Sequence, residues 1–208
     1  MITFKQFIAE RDSTEEEDAD FNTLVEMIKK DCAPFLQAID GAGFLYRGVQ
    51  TNSGRNVLNS IVYYEKKVRT DRKPLSTEPR LSKIVDDWFE KKFGFRARQE
   101  TMFARGENAQ LSSLQGYGTP CVVFPIGSFE FVWSEKVFDL YTNLYIPSNV
   151  TGTENITAAA EKFLEDAEFK STGMDDAVQS RMEVLVKCPS YYAVPLQYRE
   201  QLKRALLS

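Results

Sequence analysis

Ser180-Arg181-Met182-Glu183-Val184-Leu185-Val186-Lys187 sets a carboxylate at the opening of a short β-branched run. Val, Ile and their neighbours in such a run favour a strand. Far upstream, Phe44-Leu45-Tyr46-Arg47-Gly48 ends a second short apolar run in a guanidinium, followed by a glycine. An Arg closing an early strand and a Glu opening a late one can face each other across one cleft. The rest of the chain is read outward from that pair.

The 208 residues are 43% hydrophobic, enough for one sizeable core. A formal net charge of −4 disfavours general nucleic-acid binding, which depends on basic excess. No apolar run reaches the roughly 20 residues needed to span a bilayer, so no membrane partner is expected. Cys32, Cys121 and Cys188 are odd in number and widely spaced, which excludes a disulfide framework and points to a reducing compartment. Cys121, in an apolar strand, reads as a buried inert thiol. The chain has no histidine. That removes the usual His-based triads and most zinc sites, and no metal site is expected. Chemistry is left to Arg, Lys, Glu, Asp, Tyr, Ser or Cys, a filter that an Arg and Glu site passes.

Between the two ends the chain mixes helices and strands without a repeating strand–helix–strand beat, which predicts an α+β fold. Helices are expected from Phe21 to about Lys30, over Phe35–Ile39, and from Leu81 to Phe93 with a stop at Gly94. A strand is expected over Gly43–Tyr46, a loop over Thr51–Leu58, and a strand within Ser60–Thr70. Phe95–Gln99 leads into a strand near Met102–Ala104, and a short helix follows over Glu107–Leu114. Cys121–Ile126 is the clearest buried strand, with another over Ser128–Trp133. Ser134 is expected to cap a helix running to Leu144, with Glu135 and Asp139 as acids near its start. Further helices are expected over Glu154–Ala167 and Met174–Ser180, then a strand over Met182–Lys187. Tyr191–Val194 is expected to pair with that strand, before a closing helix over Leu196–Leu207. The patch Arg69–Pro74 reads equally as a solvated turn or as an anion-recognition loop.

Residues 1–20 read as a leader and acidic linker, with 21–208 as a single domain. Phe4, Phe7 and Ile8 share one helical face, the pattern of a short docking helix. Met1–Glu10 also resembles the capsid-targeting leader of internal head proteins of tailed phages, in which Ile8-Ala9-Glu10 would be the cleavage site. Asp12, Glu15, Glu16, Glu17, Asp18 and Asp20 follow as a solvated acidic run.

The order Leu45-Tyr46-Arg47-Gly48, then Phe103-Ala104-Arg105-Gly106 with Tyr117-Gly118 and Val122-Val123-Phe124, then Glu183-Val184-Leu185-Val186 resembles the ADP-ribosyltransferases. The resemblance implies a split mixed or antiparallel β core with N-terminal and flanking helices. It implies NAD as substrate, Arg47 holding the cofactor, Phe103–Gly106 at the end of a central strand and Glu183 as the catalytic carboxylate. From about Phe44 to Val194 the chain also looks like a family of phage proteins. That likeness includes the Arg69–Pro74 patch, Phe124-Pro125-Ile126-Gly127, and Trp133-Ser134 with Asp139. A phage mono-ADP-ribosyltransferase acting on a host macromolecule, in the virion or the host cytoplasm, is the function so implied. The arginine-first branch of the family carries Ser-Thr-Ser on its central strand. This chain has Phe103-Ala104-Arg105-Gly106 there, and Arg181 stands two residues before Glu183. A non-catalytic virion component or host-defence inhibitor on the same scaffold, acting by protein binding, is the alternative.

The chemistry of the pair stands by itself. A planar, permanently charged guanidinium binds a pyrophosphate bidentately. Loss of nicotinamide builds positive charge on the ribose, which a carboxylate stabilises. Arg47 is expected to line the deepest polar cleft, near Phe103 and Tyr117. Tyr46, Phe103 or Tyr117 can stack on a nicotinamide ring, Arg72 and Arg98 can hold phosphates, and Gly48 and Arg105 complete the expected cofactor-binding residues. The structural alternatives are an ion pair for Arg47, with Glu183 itself as one partner, an exposed strand-end charge for Glu183, and pairing with surface acids for Arg72 and Arg98.

Overall fold

The computed structural model describes residues 19–58, 61–71, 78–144, 146 and 151–207. The leader, most of the acidic linker and Arg72–Pro74 lie outside the described residues. The first helix, α1 (19–31), takes in Ala19 and Asp20, and Asp20 is buried, so the linker ends earlier than its charge suggests. Leu24, Val25 and Ile28 recur at helical spacing and are buried. α2 (Ala33–Ile39) has a proline in its first turn, where a missing N–H breaks no helical bond, and buries Phe35 and Ile39.

Eight strands follow: β1 (Leu45–Val49), β2 (Arg55–Leu58), β3 (Ile61–Lys67), β4 (Met102–Arg105), β5 (Thr119–Ile126), β6 (Glu130–Trp133), β7 (Glu183–Lys187) and β8 (Ser190–Pro195). They form one antiparallel sheet in the order β2-β3-β8-β5-β1-β4-β7-β6. The remaining helices are α3 (Pro79–Phe93), α4 (Ala97–Glu100), α5 (Leu140–Asn143), α6 (Thr153–Asp166), α7 (Met174–Gln179) and α8 (Arg199–Leu206). The protein is therefore a mixed α/β fold on an antiparallel sheet. No helix among the described residues is long and apolar enough to cross a membrane.

α3 shows how locally its ends are encoded. The Glu78 carboxylate accepts the N–H groups of Arg80 and Leu81 at the start. Gly94 closes the helix in the left-handed region at φ 83°, where a side chain is strained. Between them Val85, Trp88 and Phe89 form the buried stripe.

The sheet divides at its middle. β1 and β5 share five register pairs, from Leu45↔Val123 to Val49↔Thr119. β1 and β4 share one, Tyr46↔Arg105, so the two halves join at a narrow seam. A three-residue link, 127–129, carries the chain from β5 inside the sheet to β6 at its far edge. One core gathers Phe35, Phe44, Val122, Phe124 and Val194 beneath α1 and α2. The other packs Val85, Trp88, Phe89, Leu164 and Phe169 against Val132 and Leu185. Each large apolar side chain so buried contributes about 1.5–3 kcal/mol.

Several local expectations are corrected. Arg55–Leu58 is not loop but the edge strand β2, and its polar look follows from having only one neighbouring strand. β1 runs to Val49, which puts Arg47 in mid-strand rather than at the strand end. β8 pairs with β3 and β5, not with β7, because β4 and β6 already occupy both edges of β7. Ala97–Glu100 is a short helix before β4. No helix starts at Ser134, whose buried hydroxyl donates to the Ala167 carbonyl. The cap is Asp139, on the shorter α5, where its carboxylate accepts Thr142 N–H at 2.8 Å. In place of a helix over Glu107–Leu114, a turn leads to a 3-10 helix at Leu111–Tyr117, and Glu107 is drawn inward.

Candidate active site

β1, β4 and β7 lie side by side, so the three stretches singled out in the sequence are neighbours in the sheet. Beyond the Tyr46↔Arg105 pair no further ladder pair joins β1 to β4. There the Arg47 guanidinium bridges the seam, with Nη1 donating to the Phe103 carbonyl at 2.5 Å. Arg47 is half-buried and directly opposite Cys121 on β5.

Glu183 is the first residue of β7 and lies directly opposite Arg105. Its N–H donates to the Phe138 carbonyl at 3.1 Å, and its Oε2 accepts the Leu140 N–H at 2.9 Å. Arg105 Nη2 donates to Asp139 Oδ2 at 2.6 Å, another of its N–H groups reaches the Phe138 carbonyl, and the guanidinium lies 4.1 Å from the Phe138 ring centre. Burial pushes the Glu183 carboxyl up to about 7, and the Asp139 charge adds to it. The Leu140 N–H and the charges of Arg105 and Arg98 oppose the rise. Glu183 is thus a held, partly buried acid and not an exposed strand-end charge.

Residues opposite each other in an antiparallel pair project to the same face, and neighbours along a strand to opposite faces. Tyr46, Arg105 and Glu183 are in register and share a face. Arg47 therefore projects to the other. No hydrogen bond or ion pair joins Arg47 to Glu183 among the described residues, and the two flank β4 instead of meeting across one cleft. That corrects both the facing arrangement and the suggested Arg47–Glu183 ion pair.

The other expected residues separate by role. Tyr46 is fully buried and offers no ring face to a ligand. Its hydroxyl donates to Glu107 at 2.5 Å and accepts from Arg199 Nε at 2.9 Å, with the Arg199 guanidinium 5.5 Å from its ring centre. Burial first, and Glu107 second, raise the Tyr46 hydroxyl well above its ordinary range. Gly48 gives room to the protein rather than to a ligand: a Cβ there would stand 2.3 Å from the Leu114 carbonyl oxygen. Tyr117, by contrast, is 67% exposed, and its carbonyl accepts from Gln50 at 2.9 Å. Phe103 is half-buried against the second core. Arg98 donates its backbone N–H to Asp86 at 2.7 Å. Arg72 lies outside the described residues.

Glu107, Arg199 and Lys203 were not singled out from the sequence. Glu107 accepts from Phe44 N–H at 3.1 Å, from Tyr46, and from both cations of α8. Burial alone would push its carboxyl up, yet Lys203, Tyr46, Arg199 and Phe44 N–H hold it down at about 2. No periodicity marks Glu107, because its partners come from two distant stretches, Phe44–Tyr46 and α8. Asp139 carried a readable signal in the Asp139-x-x-Thr142 cap pattern, although its pairing with Arg105 did not.

A groove of about 820 Å³ lies between α3 and α6, lined by Lys83, Trp88, Lys92 and Glu165 among others. Arg47 does not line this groove. The three cysteines are free and buried, and burial pushes the Cys121 thiol up to about 12. No cluster of three or more metal-ligating side chains occurs among the described residues.

No family model, curated protein or solved structure matches the chain.

Proposed function

We propose that the chain is an NAD-dependent mono-ADP-ribosyltransferase of the Arg and Glu type, acting on a host macromolecule. The observation that carries this reading is the adjacency of β1, β4 and β7, with Glu183 opening β7 beside the end of β4. These are the strands that the resemblance takes as first, central and late. In the reaction the bond between ribose C1′ and nicotinamide breaks. Nicotinamide leaves with the electron pair, and the acceptor forms a new bond at C1′ as it gives up a proton. Glu183, once ionised, stabilises the positive charge on the ribose. Arg47 exchanges the Phe103 carbonyl for a phosphate oxygen, which its planar fork is built to hold. Because Arg47 and Glu183 flank β4, the dinucleotide has to reach both sides of that strand. Tyr117 is the exposed aromatic nearest to Gly48 and is the stacking candidate.

The second reading is a non-catalytic binding protein on the same scaffold. Opposite-face projection of Arg47 and Glu183 favours it, as does the absence of a hydroxyl from Phe103-Ala104-Arg105. Incubation with NAD labelled on the adenylate, in bacterial host lysate, separates the two. Label on a macromolecule with the wild type, and none with Glu183→Gln, is expected. Neither transfer nor nicotinamide release would overturn the enzyme reading in favour of binding.

A further inference from the structure

We infer that Arg105 and Asp139 are positioning residues that orient the Glu183 carboxylate and set its charge. The inference gives a role to the same site and takes its catalytic meaning from the NAD reading, but the geometry is independent of that reading. The segment 137–144 is fastened to the strand ends at four points. Arg105 donates to the Phe138 carbonyl and to Asp139 Oδ2, Glu183 N–H donates to the Phe138 carbonyl, and Leu140 N–H donates to Glu183 Oε2. The last of these fixes where the carboxylate points, and it forms only while the first three hold α5 in place.

Asp139 does more than cap α5. Its Oδ1 accepts the Thr142 N–H, which asparagine or serine would do equally well. Its Oδ2 binds Arg105 at 2.6 Å in a pair whose side chains are only 14% and 16% exposed, so solvent screens it little. Arg105 is held besides against the Phe138 ring. With its guanidinium committed to Asp139, Arg105 neutralises Glu183 incompletely. The charged groups facing Glu183 are Asp139 before α5, Arg105 on β4 and Arg98 on α4. Asp139 favours the protonated acid and the two arginines favour the carboxylate. Their balance, together with burial, leaves an acid that changes charge near neutrality.

The test is a carboxyl-carbon NMR titration of the full chain carrying labelled glutamate, with Glu183→Gln assigning the Glu183 signal. Asp139→Asn and Asp139→Ser keep the cap and remove the charge. Each is expected to lower the Glu183 midpoint by about one pH unit or more, a tenfold change in proton affinity. Arg105→Gln is expected to raise it, and Arg105→Lys to restore it toward the wild type. Folded Asp139 variants that titrate within about 0.2 units of the wild type would overturn the inference. So would Arg105→Gln and Arg105→Lys behaving alike, a comparison that still decides if the Asp139 variants do not fold. Shifted midpoints in a protein that transfers no label would uphold the positioning role and sink the NAD reading, so the two failures are distinguishable.

Discussion

Glu183 lies directly opposite Arg105 across β4 and β7, yet its carboxylate takes the Leu140 N–H while the Arg105 guanidinium goes to Asp139. An acid beside an arginine is usually a committed carboxylate. Here the arginine has a second acid to satisfy, and burial pushes Glu183 up to about 7.

Glu183→Gln keeps the shape and can still accept from Leu140 N–H. NAD affinity is expected to stay near the wild-type value while transfer falls at least about 100-fold, the scale of one lost transition-state contact. Calorimetry and label transfer measured on the same protein check this, and equal transfer by the variant would remove Glu183 from the chemistry.

The same substitution has a stability signature with a definite sign. An ordinary glutamate titrates near 4.5, and the folded protein holds the Glu183 proton up to about 7. Across that window the folded state binds the extra proton, so its contribution is full below 4.5 and lost as pH rises toward 7. The slope is at most about 1.4 kcal/mol per pH unit. Urea unfolding at pH 4.5, 6 and 8 should show Glu183→Gln gaining on the wild type as pH rises.

Glu107 has the opposite sign. Its carboxyl is held down to about 2 by Lys203, Tyr46 and Arg199, so its contribution is full above 4.5 and lost as pH falls toward 2. Glu107→Gln leaves two half-buried cations without their anion and should cost about 1.5–3 kcal/mol at neutral pH, the scale of hydrogen bonds to charged groups. The difference should shrink in acid. An unchanged denaturation midpoint at pH 7 would show that the cluster does not hold α8 in place.

Gly48→Ala would press a methyl group onto the Leu114 carbonyl, which is backbone and yields little. A loss of roughly 1–3 kcal/mol is expected, toward the upper end. A thermal midpoint equal to that of the wild type would show that the 3-10 helix can move away.

Arg47→Lys retains the charge and a donor for Phe103 but not the planar fork. If Arg47 holds the pyrophosphate, NAD affinity should fall by about tenfold or more. Calorimetry decides, and unchanged affinity would take Arg47 out of the site.

The sequence was readable where structure is set by near neighbours. Glu78 and Gly94 mark the ends of α3, and Val184–Val186 mark β7. It was unreadable where partners are remote. Nothing in Tyr191–Val194 says that β3 and β5 will take it, since that depends on β7 having both edges filled. The faces of Arg47 and Glu183 depend on which residue of β1 meets Arg105, and a shift of one residue reverses the outcome. Arg105 was legible as a cation but not as a partner of Asp139, because the turn that joins them is made by α5.

The place of β8 between β3 and β5 bears on how the chain assembles during synthesis. Until Ser190–Pro195 leaves the ribosome, the β2–β3 hairpin has no link to the centre of the sheet, and β3 and β5 each present an open edge. Such edges invite pairing with other chains. The nascent protein must therefore hold two unfinished half-sheets apart while well over a hundred residues are added after β3, and closure is a late, long-range event of the slow kind.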